Sequence, residues 1–251
     1  MSWLPFSPDL LAPVFGALFL GGLVKGTVGV GLPLVVVSLL GSFLNPKLAV
    51  VMVTLPVVVA NIWQCVRSGV AMEAVRRFWP LVLPFVAFTW AGAQLLASMR
   101  TDLLLGVLGL IVVCFSLLTL AQPHFRLKPR YEKFAGPGVG ILAGLLNGVS
   151  TVNGPPLIMY LVALGLRKEN FVGSYGLIAL AGSVPLVLSY VGVGLMGTRE
   201  VGASALALVP VLTGVFAGER LRKRIDAELF RKVLLIVLIV LGINLIRRAF
   251  G

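Results

Sequence analysis

The chain has 251 residues, 59% of them hydrophobic, and its mean hydropathy is +1.04. Soluble domains are only about half apolar even when glycine is counted, so this composition excludes a soluble enzyme or binding domain and places the chain in a lipid bilayer. The formal net charge of +12 comes from basic residues clustered between apolar runs. This clustering indicates membrane topology and contact with anionic lipid, with no nucleic-acid partner.

The first apolar stretch contains a segment that recurs later in the chain. GLVKGTVGVGLPLV, at residues 22–35, aligns with GLLNGVSTVNGPPL, at residues 144–157, at a constant offset of 122 residues. Both copies carry glycine, proline and small polar residues within an apolar run, a composition that breaks a membrane helix. Paired breaks at corresponding places in two halves indicate the central binding site of a transporter.

Six further apolar runs are long enough to cross a hydrocarbon core of about 30 Å. The predicted spans are residues 46–66, 78–99, 103–121, 170–194, 201–218 and 229–246. The two halves correspond in these spans as well, because Pro84 matches Pro210 and Gly92 matches Gly218 at an offset of 126 residues.

The distribution of Lys and Arg predicts how often each half crosses. If residues 10–44 crossed once, the basic residues other than Lys25 would divide ten and ten between the two faces, against the positive-inside bias. If that stretch and residues 136–166 each form a hairpin, fifteen basic residues lie on one face and five on the other. Two arms of about 15 residues would each reach only about 22 Å, so a re-entrant hairpin is expected.

The predicted fold is an all-α polytopic membrane protein with two inverted-topology repeats. Each repeat is a broken or re-entrant helical hairpin plus three transmembrane helices. Residues 1–121 form the first repeat, residues 122–135 a basic cytoplasmic linker, and residues 136–251 the second repeat. This arrangement predicts a multi-pass protein of the bacterial inner membrane with both termini outside.

The two broken tips are expected to meet near the middle of the membrane, where irregular backbone must be buried or line a wet cavity. Each tip starts a new half-helix near Pro33 or Pro155, so free N–H groups and positive helix-dipole ends favour an anion. Lys25, a cation inside a membrane segment, also favours a negative ligand. The alternative is that Lys25 snorkels or caps carbonyls at the end of the first arm.

The predicted substrate-binding residues come from both tips and from the span after the first tip. They are Lys25, Thr27, Gly29, Gly31, Gln64, Arg67, Asn147, Ser150, Thr151 and Asn153. The polar residues of the second tip either donate hydrogen bonds to a sulfonate or carboxylate, or satisfy the broken backbone. Gln64 and Arg67 share a helical face that could line an entry path, and Arg67 also fits an interfacial anchor.

Other polar residues narrow the chemistry. Helix-to-helix hydrogen bonds are the expected role of four residues in the second half, Ser174, Tyr175, Ser183 and Tyr190. All nine acidic residues fall in loops or at span ends, which disfavours a cation pump or a carboxylate proton relay. The two cysteines lack metal-ligand spacing, so no metal or other cofactor is expected.

Several motifs resemble those of the TauE/SafE family of bacterial sulfite exporters. They are GLVKGTVGVGLPL, AGLLNGVSTVNGPPLIMYLVALGL, the span ending in NIWQCVRSG, and PVLTGVFAGERLRKRIDAELFRKVL, and together they cover about residues 15–245. The resemblance implies transport of small sulfur-containing or organic anions, such as sulfite, sulfoacetate and related sulfonates. The first tip reads GVGLP, where the family pattern is similar to GxGGG.

The leading interpretation is a secondary transporter that exports such anions by alternating access, with substrate held at the two breaks. An anion channel is the alternative within transport and would show unsaturable flux. An enzyme is disfavoured, because His124 is the only histidine and the spans hold no paired carboxylates or Ser-His-Asp set. A scaffold is disfavoured, because it would not need mirrored helix breaks within the membrane. The expected partners are a small anionic substrate and the lipid bilayer, and a homodimer is left open.

Overall fold

The computed structural model describes residues 5–68, 71–121, 126–166, 168–222, 224 and 227–250. Within these ranges the secondary structure is entirely helical, without strands, as the composition predicts. A short 3-10 helix, Pro8–Leu10, precedes twelve α-helices. These are α1 (Leu11–Val28), α2 (Leu32–Gly41), α3 (Pro46–Met52), α4 (Thr54–Ser68), α5 (Ala71–Ser98), α6 (Thr101–Ala121), α7 (Pro129–Ser150), α8 (Gly154–Ala163), α9 (Lys168–Gly192), α10 (Thr198–Leu206), α11 (Leu208–Leu221) and α12 (Ala227–Phe250).

Seven segments of the described chain are long and apolar enough to cross a membrane. They are Pro8–Val28, Pro46–Val66, Arg76–Ser98, Thr101–Ala121, Asn170–Gly192, Thr198–Leu221 and Lys232–Phe250. Six of them agree with the predicted spans to within four residues at either end, so those predictions are confirmed. The seventh contains the first arm of the first hairpin.

Both hairpins have one long arm and one short arm. The long arms, α1 and α7, have 18 and 22 residues, and the short arms, α2 and α8, have 10 each. At 1.5 Å per residue the long arms extend about 27 and 33 Å and the short arms about 15 Å. The sequence predicted arms of similar length, but only the long arm of each hairpin matches the thickness of a bilayer.

The two arms of each hairpin fold back on one another. In the first, a Cβ on Gly21 of α1 would collide with the side chain of Val36 in α2. In the second, the Leu127 N–H, just before α7, donates to the carbonyl of Ala163 at the end of α8 at 2.9 Å. Helix α7 begins at Pro129, so part of the segment predicted as a linker is helical.

The helix boundaries repeat at the same offset as the sequence motif. Helix α1 ends at Val28 and α7 ends at Ser150, 122 residues later. The short arms, Leu32–Gly41 and Gly154–Ala163, are separated by the same distance along the chain. The break therefore falls on aligned residues in both hairpins, and the similarity between the halves extends from sequence to local structure.

The helices form two units, each of which draws segments from both halves of the sequence. The first unit comprises Met1–Pro56, Ser98–Pro123 and Leu195–Gly251, and the second comprises Val57–Ala97 and His124–Gly194. In the first unit, α1 packs against α11, and α6 packs against α12. In the second unit, α7 packs against α5 and α9. Each hairpin therefore contacts the second span of the opposite sequence half.

Glycine permits the close helix contact in each unit. In the first unit, a Cβ on Gly26 of α1 would lie 3.0 Å from the Cα of Gly218 in α11. In the second, a Cβ on Gly92 of α5 would lie 3.0 Å from the Cα of Gly148 in α7. Side chains at these positions would force the backbones apart, since close approach of membrane helices requires small residues. The four glycines are aligned in pairs, so the same helix contact occurs twice.

A polar bridge supports another helix interruption in the first unit, between α3 and α4. Pro56 has no N–H, so the Met52 carbonyl, four residues earlier, lacks its usual helical donor. The Ser204 hydroxyl of α10 donates to that carbonyl at 3.0 Å and accepts from the Leu55 N–H at 3.1 Å. One buried hydroxyl thus satisfies two backbone groups inside an apolar span, where no water is present to do so.

Candidate substrate site

The first tip, residues 29–31, is a left-handed turn between α1 and α2. Gly29 has a φ of 92° and Gly31 a φ of 97°, values that residues with a Cβ rarely adopt. The Gly29 N–H donates to the Lys25 carbonyl at 2.7 Å and ends α1. Pro33 lies in the first turn of α2, where an N–H would have no intrahelical partner. The helix is thus interrupted only at residues 29–31, a shorter break than the one predicted for residues 26–33.

Lys25 and Thr27 lie on the final turns of α1, just before the tip. Lys25 is buried, with 7% of its surface exposed. The Thr27 hydroxyl donates to the Leu23 carbonyl at 2.7 Å and lies 3.4 Å from the Gly218 carbonyl of α11. Thr27 therefore has a role in helix packing, whereas Lys25 places a buried basic side chain at the end of α1.

The position of the first tip along α11 follows from the packing of α1 against that helix. The backbone at Gly22 faces Val211, and the backbone at Gly26 faces Val215, so the two helices run in the same direction with a constant register. The tip begins at Gly29, close to the last turn of α11, which ends at Leu221. The long arm thus carries the first tip alongside the end of α11, and the expected meeting of the two tips near mid-membrane stays a prediction.

The second tip, residues 151–153, repeats the break with different side chains. Thr151 has a φ of 59° and is the sole non-glycine residue with positive φ in the described part of the chain. Its N–H donates to the Asn147 carbonyl at 2.8 Å, and its hydroxyl donates to the Ser150 carbonyl at 2.5 Å. The Ser150 hydroxyl donates to the Leu146 carbonyl at 2.7 Å and accepts from the Val152 N–H at 3.3 Å. Both hydroxyls therefore form hydrogen bonds with backbone groups next to the break between α7 and α8.

A buried series of side-chain hydrogen bonds connects the second tip to α9 and α5. The Tyr175 hydroxyl of α9 donates to Asn153 Oδ1 at 3.0 Å. Asn153 Nδ2 donates to Asn147 Oδ1 at 2.9 Å, and Asn147 Nδ2 donates to Thr89 Oγ1 of α5 at 3.1 Å. The Thr89 hydroxyl in turn donates to the Phe85 carbonyl at 2.8 Å. Every bond in this tip network points the same way, and the last acceptor is backbone.

Further contacts fasten the same tip to α9. Asn147 Nδ2 also lies 3.4 Å from the Gly182 carbonyl, and Asn147 is only 1% exposed. The Tyr190 hydroxyl donates to the Gly148 carbonyl at 2.7 Å, near the end of α7. Both functional atoms of the Asn147 amide are thus used within the protein. The Asn147 side chain therefore joins the second tip to α5 and α9.

The expected helix-to-helix hydrogen bonds are found for only part of the predicted set. Tyr175 and Tyr190 connect α9 to the second hairpin, as predicted. Ser183 instead donates to the Ala179 carbonyl of its own helix at 2.9 Å. Thr89 was missed by the sequence reasoning, although it lies one turn before the aligned Gly92. Its position on the glycine face of α5 was the available signal.

The remaining predicted residues lie on α4. Gln64 Nε2 donates to the Val172 carbonyl of α9 at 2.9 Å, so Gln64 connects two helices of the second unit. Arg67 lies in the last turn of α4, and its side chain falls outside the described residues. The structure therefore groups four predicted residues at each tip and places Gln64 against α9. The groups are Lys25, Thr27, Gly29 and Gly31, and Asn147, Ser150, Thr151 and Asn153.

Comparison with known proteins bears on what these tips do. The family model for the sulfite exporter TauE/SafE matches residues 14–245, which is most of the chain. No curated protein and no solved structure matches the chain. The family consists of membrane exporters of sulfite and related anions, in agreement with seven apolar spans and with the motifs in both hairpins. The chain belongs to the TauE/SafE sulfite exporter family.

Proposed function

We propose that this protein is a secondary transporter that exports a small sulfur-containing or organic anion, such as sulfite or sulfoacetate. The substrate binds at the two hairpin tips, and two inverted repeats alternate its access between the faces of the membrane. The bias of fifteen basic residues to five supports a multi-pass protein of the bacterial inner membrane with both termini outside.

The observation that carries this proposal is the buried Lys25 at the end of α1, beside a break that exposes a new helix N-terminus. A basic residue within a membrane segment is rare and usually functional, and an anion is the ligand that its charge favours. The break through Gly29 and Gly31 exposes the first N–H groups of α2, and these groups carry the positive end of the helix dipole. Ammonium and amide donors together suit a sulfonate, sulfite or carboxylate oxygen.

The second tip contributes through backbone and dipole more than through Asn147. Helix α8 begins directly after the tip, with Pro155 in its first turn, so its N-terminal N–H groups are available to an anion. Asn153 uses one amide hydrogen for Asn147 and retains a second. The tip network keeps this N-terminus rigid, which limits the entropy lost when a ligand binds.

The direct test is anion uptake into liposomes that contain the purified protein. Each labelled anion is supplied separately, as sulfite, sulfoacetate, thiosulfate or a simple carboxylate. Initial rates are measured as a function of its concentration, with and without unlabelled anion inside the liposomes. A transporter gives saturable rates and accelerated exchange. Linear, unsaturable flux would identify a channel, and absence of flux for every anion would contradict the proposal.

Lys25→Met tests the electropositive tip. Loss of one charge-assisted hydrogen bond of about 1.5 to 3 kcal/mol predicts a reduction in kcat/KM of about 10- to 100-fold. Lys47→Met is the matched control, because it removes the same charge from the same unit at the start of α3. Equal kinetics for the Lys25→Met variant and wild type would remove Lys25 from the binding site.

A further inference from the structure

One face of α11 carries a cavity that has no part in the tips. The cavity has a volume of about 980 Å³ and is called the α11 groove here. Its lining residues are Thr213, Phe216, Ala217, Arg220, Leu221 and Arg224. Gly214 and Gly218, which pack against α1, lie on a neighbouring face of the helix, rotated by about 110° from the centre of the groove at 3.6 residues per turn. The groove therefore lies on a different face of α11 from the contact with α1.

The α11 groove has an apolar floor and a cationic end. Phe216 is 41% exposed despite its size, and Ala217 and Leu221 continue the apolar surface toward the end of the helix. Arg220 and Arg224 are both exposed and follow one another at a spacing of four residues. Among the described residues, neither guanidinium forms a hydrogen bond or ion pair with another side chain. Two unneutralised cations thus lie where an apolar groove ends.

We propose that the α11 groove binds one anionic phospholipid. The phosphodiester lies between the guanidinium groups of Arg220 and Arg224, whose planar N–H donors match phosphate oxygens. One acyl chain follows Phe216 and Ala217 along the part of α11 that lies within the span Thr198–Leu221. The groove has its two arginines at the end of the membrane span and its apolar floor within the span. A phospholipid has its charged headgroup and its acyl chains in the same order, and this match identifies the occupant.

Charge complementarity favours a lipid over the other occupants. Clustered basic residues at the end of a membrane span attract anionic headgroups, and the chain carries a net charge of +12. A small free anion would use the guanidinium groups but leave the apolar floor without a ligand. A phospholipid uses both surfaces, and its chemistry distinguishes the groove from the tips proposed to hold the transported anion.

The experiment compares lipids that differ only in headgroup charge. Native mass spectrometry of the purified full-length protein measures binding of phosphatidylglycerol and phosphatidylcholine with identical acyl chains. For the double variant Arg220→Gln/Arg224→Gln, we expect affinity for phosphatidylglycerol to fall about 30-fold, with phosphatidylcholine unchanged. Phe216→Ala should weaken both lipids equally, because it removes only apolar contact.

The control is Arg199→Gln/Arg247→Gln, which removes two positive charges from residues outside the groove. It should change phosphatidylglycerol binding by less than about threefold, since only the general field of the protein is altered. Equal losses in the two double variants would overturn the proposal. Displacement of phosphatidylglycerol by millimolar glycerol phosphate, which lacks acyl chains, would also overturn it and identify a free-anion site.

Discussion

At the end of α1 the chain turns through Gly29 and Gly31, whereas at the aligned end of α7 it turns through Thr151 and Asn153. The first turn has left-handed glycines, and no atom stands within 4 Å of a Cβ placed on Gly29. In the second turn, side chains bond to the local backbone and to α5 and α9. One backbone break is therefore stabilised in two different ways.

The two copies of the duplicated segment share some structural features and differ in others. Both units keep the break and the glycine contact between the long arm and its partner helix. The side chains around the break differ, with a buried cation at Lys25 and a neutral amide at the aligned Asn147. In both tips the break therefore provides a helix N-terminus. The first tip adds the basic side chain of Lys25, and the second adds side-chain hydrogen bonds that hold the turn in place.

The largest expected effect tests whether the two glycine contacts are equivalent. Gly26→Ala and Gly148→Ala should each reduce the free energy of unfolding by about 3 kcal/mol, because each Cβ would overlap a carbonyl oxygen of the partner helix. The measurement is thermal unfolding of the detergent-solubilised protein, monitored by the loss of the monodisperse peak in size-exclusion chromatography.

Matched controls lie on the same two helices. A Cβ on Gly16 of α1 or Gly138 of α7 would meet no atom within 4 Å. Gly16→Ala and Gly138→Ala should therefore be neutral or stabilise by up to about 1 kcal/mol, through better helix propensity. If either Gly26→Ala or Gly148→Ala behaved like its control, the two contacts would not be equivalent.

An intermediate effect tests the tip network, which only the second tip contains among the described contacts. Asn153→Ala leaves Asn147 Oδ1 and the Tyr175 hydroxyl without their partners and should cost about 2 kcal/mol. Combined with Tyr175→Phe, the total should be smaller than the sum of the single effects, as measured in a double-mutant cycle. Ser183→Ala is the control, because its hydroxyl bonds within its own helix, and it should cost less than about 0.5 kcal/mol. Additive effects would show that the network is not coupled.

The smallest effect comes from exchanging the left-handed residues of the two tips. Gly29→Thr should destabilise by about 1 kcal/mol, because a β-branched residue must then adopt a positive φ. Thr151→Gly relieves the same strain, and its gain of less than about 1 kcal/mol is partly offset by backbone entropy and by loss of the hydroxyl contact to Ser150. Shifts in melting temperature of the same sign for both variants would contradict this comparison.

Much of the architecture could be predicted because its signals are local. Six spans were located from apolar runs, and both breaks were located from glycine and proline in aligned segments. The prediction of equal arms was wrong, since the long arms have 18 and 22 residues and the short arms 10, and α7 extends into a charged segment that begins at Pro129. Hydropathy does not register a helix that continues beyond the apolar core, so the length of α7 was underestimated.

The candidate site was predicted less completely, because its contacts join residues far apart in the chain. Asn147 was identified from its place in the repeat, but its bonds to Thr89 and Gly182 depend on how three helices pack. The sequence did not identify Ser204 as a structural residue, although its hydroxyl bonds to the Met52 carbonyl and the Leu55 N–H, about 150 residues away in sequence. A polar side chain in an apolar segment reveals that a partner is needed, and packing decides which one.

By itself, the sequence determined that this protein is a membrane protein of repeated design, with helices interrupted within residues 26–33 and within the aligned segment at residues 144–157. Apolar length, glycine and proline act on neighbouring residues, so their effects can be inferred without any tertiary contact. Only the tertiary structure decided that each hairpin packs against a helix of the opposite half, through Gly26 with Gly218 and through Gly148 with Gly92. The physical reason is that helix association depends on complementary surfaces, and many glycine-bearing faces in the chain could have formed such a pair.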